Sequence, residues 1–386
     1  MIPYGRHDIQ DDDIAAVLEV LQSDFLTQGP VVPQFEEVVS KHCGVDYAIA
    51  ANSATSALHI AFMALGVGAG DIVWTSTNTF VASSNAALYC GANVDFVDID
   101  PKSYNMSINA LTEKLELAQK CGQSPKVVVP VHLAGQPCDM QAIFMLAEKY
   151  GFRVVEDASH AIGGQYRGAN IGNCAYSDIT VFSFHPVKIV TTAEGGMAVT
   201  NQADLAEKMR LFRNHGITRD PALMKNGKGK PWYYEQVTLG YNYRMTDLQA
   251  ALGVSQMKRL CSYITRRHEI ANLYNQELKN LPIILPAQAD FSYSAYHLYI
   301  IRLDLDAIVP LSQADVFQTL LDHKIFVQLH YIPVHTQPYY TAMGFNWGDF
   351  PNAESHSRSA VSIPIYPTLT DEAQSTVIGV LRKVLG

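Results

Sequence analysis

The sequence predicts an α/β protein: a mainly parallel seven-stranded sheet with helices on both faces, followed by a smaller α+β unit. Two observations predict it. Short runs dense in Val, Ile and Phe alternate with helical patterns through the first two-thirds of the chain, as strands covered on both faces require. At 386 residues the chain also exceeds the size at which one hydrophobic core stops growing.

The strand candidates come in order as "YAIAA" (47–51), "DIVWT" (71–75), "NVDFVDI" (93–99), "KVVVPVHL" (126–133), "FRVVEDA" (152–158), "DITVFSF" (178–184) and "GMAVT" (196–200). Helical segments lie between them, such as "DMQAIFMLAEKY", which Gly151 closes as a C-cap. This alternation argues for parallel pairing with helical crossovers. Near residue 245 the pattern changes. "MTDLQAALGVSQMKRL" offers a capping box, Thr246 with Gln249, at the start of a long helix. Strands "HLYIIRLDL" and "IFVQLHYIPV" and a helix after "PTLTDEAQ" follow. The predicted units are therefore 1–245 and 246–386. The basic, glycine-rich 225–231 stretch "KNGKGKP" reads as a surface loop.

Composition narrows the function. Hydrophobic residues make up 48% and charged residues 17%, enough apolar content for a large core. The net charge of −9 argues against nucleic acid or anionic membrane as partner. The N-terminus "MIPYGRHDIQDDDI" is polar and acidic, unlike a signal peptide. The longest apolar run, Ala57 to Leu65 and broken by His59, falls short of the ~20 residues of a spanning helix. A protein free of the membrane is expected. Six cysteines, each alone and without a CxxC pair, fit reduced cytosolic thiols and no metal.

Open α/β sheets bind ligands at the carboxyl ends of their strands. The polar stretches falling there are "NSATSAL", "TSTNTF", "VHLAGQ", "EDASH" and "SFHPVK". Thr55 and Ser56 stand at the opening of a helix, where free N–H groups and the dipole favour an anion; a plain helix cap accounts for them equally simply. Glu156 and Asp157 end one strand and, by alternation, point to opposite sides. Asp157 is either a cap for the next turn or a carboxylate that holds a proton on a ring nitrogen. Lys188 ends the apolar run "SDITVFSFHPVK". Alone it reads as a lysine snorkelling to solvent; partly desolvated at a ligand rim, it becomes a nucleophilic amine. Taken together, a helix tip for a phosphate, an Asp for a pyridinium, an aromatic cover in Phe80 and the lysine describe a pocket for pyridoxal 5′-phosphate. No GxGxxG follows the first strand, which removes the Rossmann alternative.

"GVDYAIAANSATSALHIAFMALG", "EDASHAIGG", "VFSFHPVKIVTTAEGG" and "GYNYRMTDLQAALGVSQMKRL", in order along nearly the whole chain, resemble the sugar aminotransferases of the DegT/DnrJ/EryC1/StrS family. "LTQGP", "NSATSAL", "SFHPVK" with "TTAEGG", and "VQLHYIPVH" look most like its pseudaminic-acid branch. The resemblance implies a fold-type I pyridoxal-phosphate transferase, cytoplasmic and homodimeric, with pyridoxamine 5′-phosphate formed between half-reactions. It implies L-glutamate as donor and a UDP-linked 4-ketosugar as acceptor. Lys188 would be the Schiff-base lysine, Asp157 the partner of the pyridine nitrogen, Phe80 the ring cover and His160 a neighbour of the ring hydroxyl. Thr55, Ser56 and Ser183 would hold the phosphate, with Asn242 from the partner subunit. Tyr4, the segment Asp24, Phe25, Leu26 and Thr27, and the segment Leu329, His330, Tyr331 and Ile332 would line the nucleotide-sugar site, where Ser183 and Asn242 also belong. His330 reads equally as a hydrogen-bonded histidine of the smaller unit. Members of the family with histidine at the lysine position are dehydratases; Lys188 favours transamination over that chemistry and over a regulator that has lost it. The 225–236 loop departs from relatives and leaves the sugar open.

Overall fold

The computed structural model describes residues 1–226 and 229–386. The large sheet has seven strands: β1 (Tyr47–Ala51), β2 (Ile72–Ser76), β3 (Asn93–Val97), β4 (Val127–Val129), β5 (Arg153–Asp157), β6 (Ile179–Ser183) and β7 (Gly196–Thr200). Their order is β1-β7-β6-β5-β4-β2-β3. Neighbours from β3 through β6 pair in parallel, while β7 runs antiparallel to both β6 and β1. The seven-stranded, mainly parallel sheet is as the sequence predicts.

Strand boundaries differ in places for physical reasons. The run 126–133 yields only Val127–Val129, because Pro130 has no N–H to continue the ladder. Beyond it a single bridge joins Val131 to Asp157. Within 93–99 the ladder stops at Val97, and Ile99 turns to bridge Met106 instead.

Both faces of the sheet are covered, which explains the continuous apolar runs. Successive residues divide between two cores: Ile49 and Val181 pack with Leu58 and Phe62 on one side, while Ala50 and Phe182 pack with Phe35 and Ile264 on the other. Helices α1 (Asp11–Leu21) and α2 (Val31–Cys43) precede α3 (Ala54–Ala64), which is buried along almost its whole length from Ser56 onward. Ser53 caps it by accepting from the Ser56 N–H at 3.1 Å.

The C-terminal part carries its own three-stranded antiparallel sheet, Ile283–Ile284, Tyr299–Leu303 and Ala360–Ile363, with a core around Tyr274, Tyr299 and Leu381. Helix Asp247–Met257 begins on the capping box of Thr246 and Gln249 and packs on helices Asp11–Leu21 and Val31–Cys43. The last strand of the large sheet ends at Thr200, and packing against the N-terminal helices continues past residue 245. The N-terminus crosses over: Ile2 bridges Ile325, and the Ile365 N–H donates to the Tyr4 carbonyl at 3.1 Å. In the 225–231 loop, the Lys225 N–H donates to Glu235 at 2.7 Å, and residues 227 and 228 lie outside the described residues. No helix among the described residues is long and apolar enough to cross a membrane.

Candidate active site

Lys188 lies on the link between β6 and β7. Both ends of that link are fixed: the Phe184 N–H donates to the Gly195 carbonyl and the Thr192 N–H to the Phe184 carbonyl, each at 2.9 Å. The Lys188 N–H closes a turn onto the His185 carbonyl at 2.9 Å. Its side chain is half-buried. Desolvation brings its pKa down to about 8, with the charge of Asp157 pulling the other way. An amine at about 8 is nucleophilic near neutral pH, and no carboxylate pairs with it within salt-bridge distance among the described residues.

Glu156 and Asp157 do point to opposite sides of β5. Glu156 accepts from His132 Nε2 at 2.7 Å and Thr180 Oγ1 at 3.0 Å, and also from Ser177. Asp157 faces the Lys188 side, where its carboxylate accepts from Ser83 Oγ at 2.6 Å, Ser159 Oγ at 2.6 Å and the Ser159 N–H at 3.1 Å. It is 5% exposed. All its neighbours are donors, so the carboxylate is set to accept.

The helix tip is close by. Gly196 opens β7 opposite Ser183, and a Cβ on Gly196 would meet Ala54 N and Ser53 C at 2.4 Å each. The N-terminus of α3 therefore packs against Gly196 and sits beside Ser183. Thr55 is half-buried and Ser56 is buried. Ser56 Oγ donates to Asn52 Oδ1 at 2.6 Å and its N–H is taken by Ser53, so among the described residues Ala54 and Thr55 carry the first-turn N–H groups without an acceptor.

The remaining rim residues form an aromatic group. His160 is 5% exposed and accepts at Nδ1 from the Ala134 N–H at 3.3 Å. That backbone donor assigns the ring proton to Nε2, which donates to Tyr331 Oη at 3.2 Å. Burial, reinforced by the charge of Lys188, holds His160 well below the usual imidazole range, so it stays neutral. Tyr331 also donates its backbone N–H to Asn78 Oδ1 at 2.9 Å, and its ring lies 6.3 Å from that of Phe80. His330 bonds Ser362 Oγ through Nδ1 at 2.8 Å while its ring stands 5.4 Å from Tyr4. Burial depresses it to about 3, which fits its reading as a satisfied histidine of the smaller unit.

Phe80 is 60% exposed, and Ile332 is exposed while Leu329 is half-buried. Asp24, Phe25, Leu26 and Thr27 are all exposed. Their bonds run elsewhere, with Thr27 bridging Thr246 and the Leu26 carbonyl accepting from the Asp247 N–H. Asn242 is exposed too, and its carbonyl accepts from Asn52 Nδ2 of the same chain at 3.5 Å. Sequence reasoning missed Ser83, Ser159 and Asn78. Their only signal was position, in "TSTNTFVASS" and "EDASH" at strand ends.

A nucleophilic lysine, an accepting carboxylate and a helix tip beside Ser183 fit pyridoxal phosphate: the amine for its aldehyde, the acid for its ring N–H, the tip for its phosphate. The family profile of the DegT/DnrJ/EryC1/StrS aminotransferases matches residues 7–382. The chain belongs to that family. It is accordingly a pyridoxal-phosphate-dependent sugar aminotransferase. It is similar to the spore coat polysaccharide biosynthesis protein SpsC of Bacillus subtilis, 37% identical over 387 residues covering 100% of this chain and 97% of SpsC. Among solved structures it resembles Helicobacter pylori PseC, an aminotransferase involved in the biosynthesis of pseudoaminic acid. That match has a TM-score of 0.90 and 30% identity over 100% of this chain and 99% of PseC. The sugar aminotransferase Spr1654 of Streptococcus pneumoniae, described as putative in its own right, matches in its pyridoxamine-phosphate form at TM-score 0.90 and 29% identity, covering 100% of this chain and 99% of that one.

Proposed function

We propose that this family member moves an amino group from L-glutamate to C4 of a nucleotide-linked 4-keto-6-deoxy sugar. The sugar is UDP-2-acetamido-2,6-dideoxy-β-L-arabino-hex-4-ulose, which places the reaction in pseudaminic-acid biosynthesis, in the cytoplasm. The observation that carries the transamination is the presence on one rim of an amine at about 8 and a buried carboxylate that accepts from Ser83 and Ser159. The likeness to PseC supports the choice of sugar.

When bound, pyridoxal phosphate supplies an aldehyde for amines and a ring that takes up an electron pair. The chain's residues do the rest. Lys188 would hold the cofactor through that aldehyde, and its Nζ would be the group that takes the proton from the donor Cα and gives it back. Asp157 keeps a proton on the ring nitrogen, so charge developing at Cα is stabilised at the moment it forms. Thr55, Ser56 and Ser183 hold the phosphate, joined by Asn242 of a second copy. Phe80 would cover the ring and neutral His160 would stand near its hydroxyl. Tyr4, Asp24 to Thr27 and Leu329 to Ile332 bind the nucleotide sugar. The same residues would serve the donor and the ketosugar in turn, so ping-pong kinetics are expected.

The homodimer draws support from the surface. Ile14, Leu18 and Leu21 line one exposed face of helix Asp11–Leu21, and Phe25, Leu26 and Phe80 are also 48–60% exposed. Such a set of large apolar side chains suits burial against a second copy.

The test is incubation of the purified protein with glutamate and a panel of nucleotide 4-ketosugars, followed by mass analysis. Release of 2-oxoglutarate together with a UDP-linked 4-amino sugar is expected. Turnover confined to another nucleotide would reject the sugar, and absence of 2-oxoglutarate with every ketosugar would reject the reaction.

A further inference from the structure

The Asp157 carboxylate is held by more than its own strand. Oδ1 accepts two hydrogen bonds, from the N–H and the Oγ of Ser159, and Oδ2 accepts one, from Ser83 Oγ. Ser83 is fully buried and sits in helix Ala82–Tyr89, 74 residues away from Asp157 in sequence. Its oxygen also lies 2.9 Å from Thr79 Oγ1. Ser83 has one hydroxyl proton, and an ionised carboxylate can only accept. The Phe80 carbonyl also faces that hydroxyl, but at 3.5 Å against 2.6 Å for the carboxylate, so the proton goes to Asp157 and the Thr79 hydroxyl donates to Ser83 in turn. The relay has one direction: Thr79 to Ser83 to Asp157.

An ionised carboxylate offers about four acceptor positions, two on each oxygen. Among the described residues three are occupied, and the vacant one is on Oδ2. We propose that Ser83, backed by Thr79, is a positioning residue that turns the Asp157 carboxylate so that this single vacant position meets the ring N–H of the bound cofactor. The inference rests on the pyridoxal-phosphate reading of the site. Without the Ser83 hydroxyl, Oδ2 has two open positions and the carboxylate can rotate about its Cβ–Cγ bond. The ring N–H then loses its one defined partner geometry.

The test compares the wild type with Ser83→Ala, Ser83→Thr and Ser84→Ala. Ser84 is the next residue and equally buried, but its hydroxyl pairs with Tyr340 Oη at 2.6 Å and not with Asp157. For each protein the Kd of pyridoxal phosphate is measured by absorbance titration of the cofactor-free form, and the ring-nitrogen shift is read from 15N-labelled cofactor. Borohydride reduction and peptide mass show whether Lys188 carries the cofactor. Ser83→Ala should weaken binding about tenfold, the size of a hydrogen bond to a charged group, and move the ring-nitrogen signal toward its unprotonated value. Ser83→Thr should restore both readings, and Ser84→Ala should leave both unchanged. If Ser83→Ala does not fold, Ser83→Cys, a weak donor of similar shape, takes its place with an intermediate loss expected. Labelled Lys188 with unchanged Kd and ring-nitrogen shift in the Ser83 variant overturns the proposal and spares the cofactor reading, as does an equal loss in Ser84→Ala. A wild type that is never labelled at Lys188 overturns both.

Discussion

Cofactor uptake should follow the free amine of Lys188, and its pH dependence can be worked out from the structure. Desolvation lowers the pKa from 10.5 to about 8. At pH 7 that side chain is about 300-fold richer in free amine than an ordinary lysine, since each pH unit is tenfold. The rate at which the cofactor-free protein takes up pyridoxal phosphate should climb about tenfold per pH unit at first and level off near pH 8. An unperturbed lysine would keep climbing to 10.5. Stopped-flow absorbance across roughly pH 6 to 10 reads this directly, with a small primary amine as reference for the cofactor's own ionisations. Asp157 opposes the desolvation by favouring the charged amine, so Asp157→Asn should move the plateau to lower pH. A rate that still rises tenfold per unit at the alkaline end would refute the desolvated-lysine argument, and a plateau moving upward in Asp157→Asn would refute the pairing. The same shift carries a sign for stability. Between about 8 and 10.5 the unfolded chain binds a proton that the folded one lacks, so the cofactor-free fold gains stability as pH rises through that interval.

Lys188→Ala should abolish transamination in a coupled glutamate assay while far-UV circular dichroism stays that of the wild type. Asp157→Asn should retain cofactor but lose about 10²–10³-fold in kcat, the range for removing one preorganised electrostatic partner; near-normal turnover would remove the ring-nitrogen role. Gly196→Ala places a methyl group 2.4 Å from the backbone of Ser53 and Ala54, atoms that cannot move aside independently of helix α3. It should cost about 1–3 kcal/mol of stability and weaken phosphate-dependent cofactor binding, read as a fall in Tm and a rise in Kd.

What the sequence carried was local. β-branched runs marked the strands because both faces of the sheet are covered, and the capping box of Thr246 and Gln249 formed as its spacing required. Alternation alone sent Glu156 and Asp157 to opposite faces. At α3 the opening was legible but the capping residue is Ser53, ahead of the polar pair Thr55 and Ser56. The partners of the site were not legible, because they arrive from far along the chain. Tyr331 meets His160 across 171 residues and Asn78 across 253. No periodicity encodes a contact of that separation; it exists only once the sheet order brings those strand ends together. Ser83 was hidden for the same reason, reading in sequence as an ordinary small residue of a short helix.

The reversal of β7 has an evolutionary consequence. Because that strand returns directly beside β6, the amine-bearing link is clamped at both ends in the middle of the sheet and cannot be lengthened or re-aimed without disturbing the ladder. The largely exposed 24–27 and 229–236 segments, by contrast, lie outside the large sheet, where insertions are tolerated. Divergence toward new acceptors can proceed on those outer arms while the chemical centre stays unaltered, so paralogues with different specificities should differ there first.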